Sequence, residues 1–203
     1  MQRKLGLPAD PGMPLVGAIS RLADQKGFDL VAKAAASIMA HDVQFVLLGT
    51  GAERYHDIFE RLAREFPDRA AIRLAFDNTL AHEIEAASDM FLMPSRYEPC
   101  GLNQLYSLRY GAVPIARRVG GLADSIVDPE DDPRAATGFL FREYSHLALL
   151  EALQRALRLY RDDPAGWDEM RRRGMRQDFS WRASAQEYEK LLLKLKNSPS
   201  RIG

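Results

Sequence analysis

The chain has 203 residues, of which 46% are hydrophobic and 28% charged, and its 28 Lys and Arg residues balance 28 Asp and Glu residues. This ordinary globular composition excludes wholesale disorder, collagen and coiled coil. A net charge of zero disfavours a nucleic-acid binder that relies on phosphate contacts. A chain of this length buries about 70% of its unfolded surface, so we expect one domain with a substantial core.

Cysteine usage and hydropathy predict a soluble, cytoplasmic protein without a membrane partner. Cys100 is the single cysteine, so no disulfide can form within the chain and a reducing compartment is favoured. No apolar run reaches the roughly 18 residues that a membrane-spanning helix needs. The segment before residue 14 also lacks the apolar stretch of a signal peptide.

Short apolar runs alternate with helical patterns along the chain. After a lead-in over residues 1–13, the pattern predicts strands at 14–20, 43–48, 71–76, 89–94, 113–117 and 138–141. It predicts helices at 27–40, 52–65, 80–87, 102–110, 145–162, 164–176 and 180–196. Strands that are apolar throughout and alternate with helices indicate an α/β fold, a Rossmann-like parallel sheet with helices on both faces.

In such a sheet, ligands bind outside the carboxyl ends of the strands, so the segments that follow each strand hold the candidate site. Arg21 and Lys26 follow the first strand, where two cations suit a diphosphate; on this segment alone, solvated surface charges are the favoured interpretation. Gly49 and Gly51 follow the second strand and could let backbone N–H groups approach an anion. A plain turn is equally compatible, and Arg54 stands where a dinucleotide fingerprint has its third glycine.

The segment after the fourth strand carries the sharpest signal. Glu98 lies in a Pro- and Gly-containing loop, and Gly101 precedes a predicted helix whose N-terminus favours an anion. Alternatively, Glu98 is a solvent-facing carboxylate or a cap, and Cys100 is a small buried apolar residue. The segment 117–124 has two arginines and two glycines and is typical of a flexible turn. The four histidines lack metal-ligand spacing, so we expect ordinary surface or helix residues and no metal site.

Several sequence blocks, taken together and in order, resemble one enzyme family. The blocks are SRLADQKGFDLV, LLGTGAERY, MPSRYEPCGLNQLYSLRYGAVPIARRVGGLADSIVD and DFSWRASAQEYEKL. They resemble the bacterial glycogen synthases and plant starch synthases from about residue 14 to residue 195. The resemblance implies a GT-B enzyme, in which two Rossmann-like domains face each other across a cleft. It also implies glucose transfer from ADP-glucose to the non-reducing end of an α-1,4-glucan, with retention and without a metal or other cofactor.

The resemblance further implies that residues 1–203 are the carboxy-terminal domain of such an enzyme. Residues 14–178 would form the Rossmann-like core, and 179–197 a closing helix that returns toward an amino-terminal domain. The K-T-G-G-L block of that domain is absent here, so we expect a longer native chain and little activity from this part alone. The expected partners are ADP-glucose, an α-glucan and the amino-terminal domain.

Individual roles follow from the same resemblance. Arg21 and Lys26 match the pair that holds the distal phosphates of ADP-glucose and stabilises the departing ADP, and Glu98 matches the acidic residue at the glucose; these three are the predicted catalytic residues. Phe76 stands where the family often has a tyrosine that stacks on adenine. Tyr106 stands where many wider relatives have a second glutamate. The loop whose backbone meets glucose and phosphates corresponds to Cys100, Gly101, Leu102 and Asn103.

Three other functions remain open from the sequence. A GT-B transferase could use another nucleotide sugar or acceptor, because spacing does not reveal base preference. A non-catalytic nucleotide-binding module would need the cations but not a sugar-side carboxylate such as Glu98. A structural protein would not bind ADP at all.

Overall fold

The computed structural model describes residues 1–196, and within that range six parallel strands form one sheet. The strands are β1 (Leu15–Ile19), β2 (Gln44–Leu48), β3 (Ala70–Arg73), β4 (Met90–Met93), β5 (Val113–Arg117) and β6 (Phe139–Phe141). Their order in the sheet is β3-β2-β1-β4-β5-β6. The strand order therefore reverses between β1 and β4, which are hydrogen-bonded neighbours. This is the Rossmann-like α/β sheet that the sequence predicts.

Helices follow the strands and cover both faces of the sheet. They are α1 (Gln2–Leu5), α2 (Phe28–Met39), α3 (Glu53–Glu65), α4 (Asn78–Ala87), α5 (Asn103–Tyr110), α6 (Gly120–Ser125), α7 (His146–Asp162), α8 (Pro164–Arg176) and α9 (Trp181–Lys196). Side-chain caps fix several of the starts, among them those of α4 and α7. Asp77 accepts a hydrogen bond from the Leu80 N–H at 2.9 Å, and Ser145 accepts one from the Ala148 N–H at 3.1 Å.

The core lies on both sides of the sheet because successive strand residues point to opposite faces. In β2, Phe45 and Leu47 join a cluster with residues of α2, α3, α7 and α8. Val46 and Leu48 join a second cluster, with residues of α1 and α4, on the other face. Every residue of β2 is buried, which explains why residues 45–48 are all apolar rather than alternating with polar ones.

Three local expectations were wrong. The predicted third strand, 71–76, ends at Arg73, which pairs with Leu48, because β2 also ends there. The lead-in contains α1, whose Leu5 is buried in the second core cluster. The segment 117–124 is not a flexible turn, because Gly120–Ser125 forms α6. Among residues 1–196, no helix combines the length and apolar character needed to cross a membrane.

The last described helix, α9, contains no buried residue. Trp181 is 89% exposed, and Tyr188 and Leu192 are also exposed. The predicted closing helix covers 179–197, and residue 197 lies outside the described residues. The division into a core and a closing helix stays a prediction.

Candidate active site

A cleft of about 380 Å³ opens near the carboxyl ends of β1 and β4, where the strand order reverses. Parallel strands end at the same edge of a sheet, so loops distant in sequence meet there. The predicted site residues that line the cleft are Arg21, Lys26, Gly49, Phe76, Glu98, Gly101, Leu102 and Asn103. Gly51 and Cys100 are not part of its lining.

Lys26 and Glu98 meet directly although 72 residues separate them. The Lys26 Nζ donates to Glu98 Oε2 at 2.5 Å, and the Ser95 hydroxyl donates to the same oxygen at 3.1 Å. Both charged side chains are partly buried, so solvent screens their attraction less than at an open surface. The cleft thus holds a cation and a carboxylate in fixed positions.

Arg21 lies at the exposed edge of the cleft. Its Nη2 donates to the neutral side-chain oxygen of Gln25 at 3.3 Å. Within residues 1–196, no carboxylate lies within ion-pair distance of this guanidinium. Arg21 therefore presents an uncompensated cation with several remaining N–H donors, which suits binding of phosphate oxygens.

The loop that carries Glu98 rests on the start of α6. The Gly121 N–H donates to the Glu98 carbonyl at 3.1 Å, and a Cβ added at Gly121 would lie 1.8 Å from the Cys100 carbonyl oxygen. Gln104 is buried below the loop and donates to the Cys100 carbonyl at 2.8 Å. These contacts explain the glycine pair of α6: the loop approaches the helix too closely for a side chain. Cys100 itself is exposed, against the alternative that it is buried.

The remaining predicted residues are placed as follows. The Gly49 N–H donates to the Arg73 carbonyl at 3.0 Å, and the Gly51 N–H donates to His56 Nε2 at 3.2 Å, so both donors are already engaged within the protein. The Asn103 amide donates to the Ile19 carbonyl at 3.0 Å and joins α5 to the end of β1. Phe76 is 89% exposed at the cleft. Contacts of these residues with a ligand stay predictions.

Sequence reasoning missed the contribution of α4 to the cleft. Asn78, Ala81, His82 and Glu85 line one wall, at the spacing of a single helix face. His82 Nδ1 lies 3.6 Å from Glu85 Oε2, and burial raises the pKa of Glu85 to about 7. The polar residues His82 and Glu85 on one helix face were a visible signal, but His82 was interpreted as an ordinary residue. Within residues 1–196, no cluster of three potential ligand side chains is placed to hold a metal ion.

Comparison with known proteins agrees with this architecture. A family model described as "Glycosyl transferases group 1" matches residues 4–173. A glycogen synthase from Anaeromyxobacter sp. (strain K) is 56% identical over 191 residues, which are 94% of this chain and 40% of that protein. The catalytic domain of starch synthase IV from Arabidopsis thaliana, bound to ADP and acarbose, superposes with a TM-score of 0.86 at 40% identity, over 95% of this chain and 41% of that one.

A more distant structure shows the fold alone. The C-terminal domain of a glycosyl transferase group 1 family protein from Francisella tularensis is 20% identical, with a TM-score of 0.66, over 86% of this chain and 87% of that chain. The chain spans about 40% of the length of the curated relatives given above. The matches to the glycogen synthase and to starch synthase IV confirm the resemblance inferred from the sequence blocks.

Proposed function

We infer that this chain, which belongs to the glycosyl transferases group 1 family, is the nucleotide-sugar-binding domain of a glycogen or starch synthase. The enzyme would transfer glucose from ADP-glucose to the non-reducing end of an α-1,4-glucan with retention of configuration. The observation that carries this proposal is the convergence of Arg21, Lys26 and Glu98 on one cleft at the reversal of strand order.

The two cations would hold the diphosphate of the donor. Lys26 has three N–H donors and uses one on Glu98, so it can also bind a phosphate oxygen. Arg21 offers a planar fork to the same group from the edge of the cleft. Negative charge accumulates on the departing ADP during transfer, and fixed cations stabilise it. This arrangement needs no metal ion.

Glu98 would serve the sugar side of the donor. Its carboxylate can accept hydrogen bonds from glucose hydroxyls and lies close to where positive charge develops at the anomeric carbon. Gly101, Leu102 and Asn103 would present loop backbone to the sugar and phosphates, and the exposed ring of Phe76 would stack on adenine.

The acceptor α-glucan and an amino-terminal domain complete the proposal. The exposed apolar residues of α9, including Trp181 and Leu192, form a surface that suits such a domain. The relatives are about two and a half times longer than this chain, which leaves room for one. A cytoplasmic location fits a nucleotide-sugar substrate.

Calorimetric titration with ADP and with UDP tests the proposed donor. We expect ADP to bind, UDP to bind much more weakly, and Arg21→Ala to weaken ADP binding roughly tenfold, because one hydrogen bond to a charged group is lost. Arg64→Ala is the matched control: it removes an exposed arginine of α3, outside the cleft, and should leave binding unchanged.

Other outcomes would redirect or overturn the proposal. Equal or preferred binding of UDP would point to a transferase that uses another nucleotide sugar. Binding that Arg21→Ala and Arg64→Ala weaken equally would contradict the assigned site. Absence of binding of either nucleotide by the folded chain would refute a nucleotide site in this domain.

A further inference from the structure

The wall of the cleft formed by α4 carries two polar side chains with no role in the function proposed above. His82 and Glu85 lie on the face of α4 that also includes Asn78 and Ala81. From Asn78 to Glu85 the helix rises about 10 Å, so this wall extends well into the cleft from the side of Phe76. A nucleoside stacked on Phe76 would therefore share the cleft with this wall.

Glu85 is an incompletely satisfied buried acid. It is 3% exposed, and its Oε2 has no hydrogen-bond partner within residues 1–196. Buried carboxyl groups nearly always have such partners, so an orphaned oxygen beside a cleft calls for an explanation. His82 Nδ1 lies 3.6 Å from this oxygen, slightly beyond hydrogen-bond distance.

The His82 ring is held from the opposite side by α5. It packs edge-on against Tyr106 with ring centroids 5.6 Å apart, and its centroid lies 5.9 Å from that of Tyr110. The Tyr110 hydroxyl is 3.5 Å from Nδ1, the same nitrogen that faces Glu85. Nδ1 is thus directed toward neighbouring protein groups, and Nε2, at the other side of the ring, has no hydrogen-bond partner within residues 1–196.

A carboxylate beside one ring nitrogen fixes the state of the other. When Glu85 accepts a hydrogen bond from Nδ1–H, the neutral imidazole carries its lone pair on Nε2 and becomes an acceptor there. Closing the present gap of 3.6 Å needs a shift of about 0.6 Å, which a small rotation of the partly exposed His82 ring supplies.

We propose that His82 and Glu85 form a pair that recognises the nucleoside of the donor. His82 Nε2 accepts a hydrogen bond from the amino group of the base or from the ribose 2′-hydroxyl, and Glu85 is the positioning residue that holds Nδ1. This inference rests on the proposed nucleotide site and specifies what selects its ligand.

The test compares ADP with inorganic pyrophosphate, which has the phosphates but no nucleoside. Calorimetry would use Glu85→Leu, Glu85→Gln, His82→Ala and a double variant that combines Glu85→Leu with His82→Ala. Glu83→Gln is the control. Glu83 is on the same helix but pairs with Lys4 outside the cleft. Glu85→Leu and His82→Ala should each weaken ADP binding roughly tenfold, and pyrophosphate binding by less than about twofold.

Two further results distinguish a positioning role of Glu85 from a non-specific disturbance of the protein structure. Glu85→Gln retains an acceptor oxygen and should keep ADP affinity within about threefold of wild type. The double variant should bind ADP no more weakly than either single variant, because both remove the same contact. Additive losses, or equal losses for ADP and pyrophosphate, would overturn the pair.

Analogues identify the group that His82 contacts. Inosine diphosphate lacks the amino group, and 2′-deoxy-ADP lacks one ribose hydroxyl. The analogue without the contacted group should bind wild type as weakly as ADP binds His82→Ala, and should be insensitive to that substitution. If wild type binds ADP and binds both analogues as tightly as ADP, the proposed pair is refuted and the nucleotide site stands. If wild type does not bind ADP, both are refuted.

Discussion

Glu85 should make the stability of this protein depend on pH. Burial raises the pKa of this carboxyl group from 4.5 to about 7. Each pKa unit corresponds to about 1.36 kcal/mol, so ionisation of Glu85 removes about 3 kcal/mol from the free energy of unfolding. Because the folded-state pKa is the higher one, the full stability is present below the unfolded-state pKa of 4.5 and is lost as pH rises through about 7.

The comparison that isolates this effect is between wild type and Glu85→Gln, which is similar in shape but does not ionise. Urea unfolding, followed by the fluorescence of buried Trp167, gives both stabilities at about pH 5 and about pH 8. The stability of wild type should fall relative to the Gln variant by about 2–3 kcal/mol between these conditions. Glu83→Gln changes an exposed acid on the same helix and should show no such difference.

Two results would refute the reasoning. If the difference in the free energy of unfolding between wild type and Glu85→Gln is the same at both pH values, Glu85 has the same pKa in the folded and unfolded states. If Glu83→Gln reproduces the effect, the cause is the overall charge of α4 rather than burial of one carboxyl group.

Three further substitutions test other parts of the structure. Arg155→Met should cost about 3–5 kcal/mol in urea unfolding at neutral pH, because it leaves the 1%-exposed Asp128 without its ion pair at 2.9 Å. This loss of unfolding free energy should be smaller in acid. Arg155 holds the pKa of Asp128 below its usual value, whereas burial alone would raise it, so Asp128 becomes protonated more easily in the variant. Lys26→Met should weaken ADP binding roughly tenfold or more in calorimetry, because Glu98 then faces the phosphates without a cation. Gly121→Ala should displace the Glu98 loop, costing about 1–3 kcal/mol in unfolding and accelerating limited proteolysis there.

The sheet and the meeting of the segments that follow its strands were predictable because they depend on local patterns and one general rule, whereas the roles of individual site residues came from the family resemblance. Apolar runs such as that of β2 located the strands, and the rule about carboxyl ends placed Arg21, Lys26 and Glu98 at one edge. The direct contact between Lys26 and Glu98 was not predictable, since a shared edge does not fix which side chains meet.

What escaped prediction depends on partners distant in sequence. The glycines of α6 resemble a turn until the Cys100 carbonyl is seen beside Gly121. The end of β3 at Arg73 is set by the end of β2. The helical pattern of α4 shows that His82 and Glu85 share a face, but not that this face lines a cleft.

The contact between Lys26 and Glu98 has a consequence for how quickly an anion finds the cleft. Seen from several ångströms away, a cation and a carboxylate 2.5 Å apart largely cancel, and the chain as a whole has no net charge. Among the charged residues that line the cleft, long-range attraction of a nucleotide therefore depends mainly on Arg21, whose guanidinium has no carboxylate within ion-pair distance among residues 1–196. Removing Arg21 should slow association and flatten its dependence on ionic strength, and removing Lys26 should do the same, because it leaves the Glu98 carboxylate uncompensated.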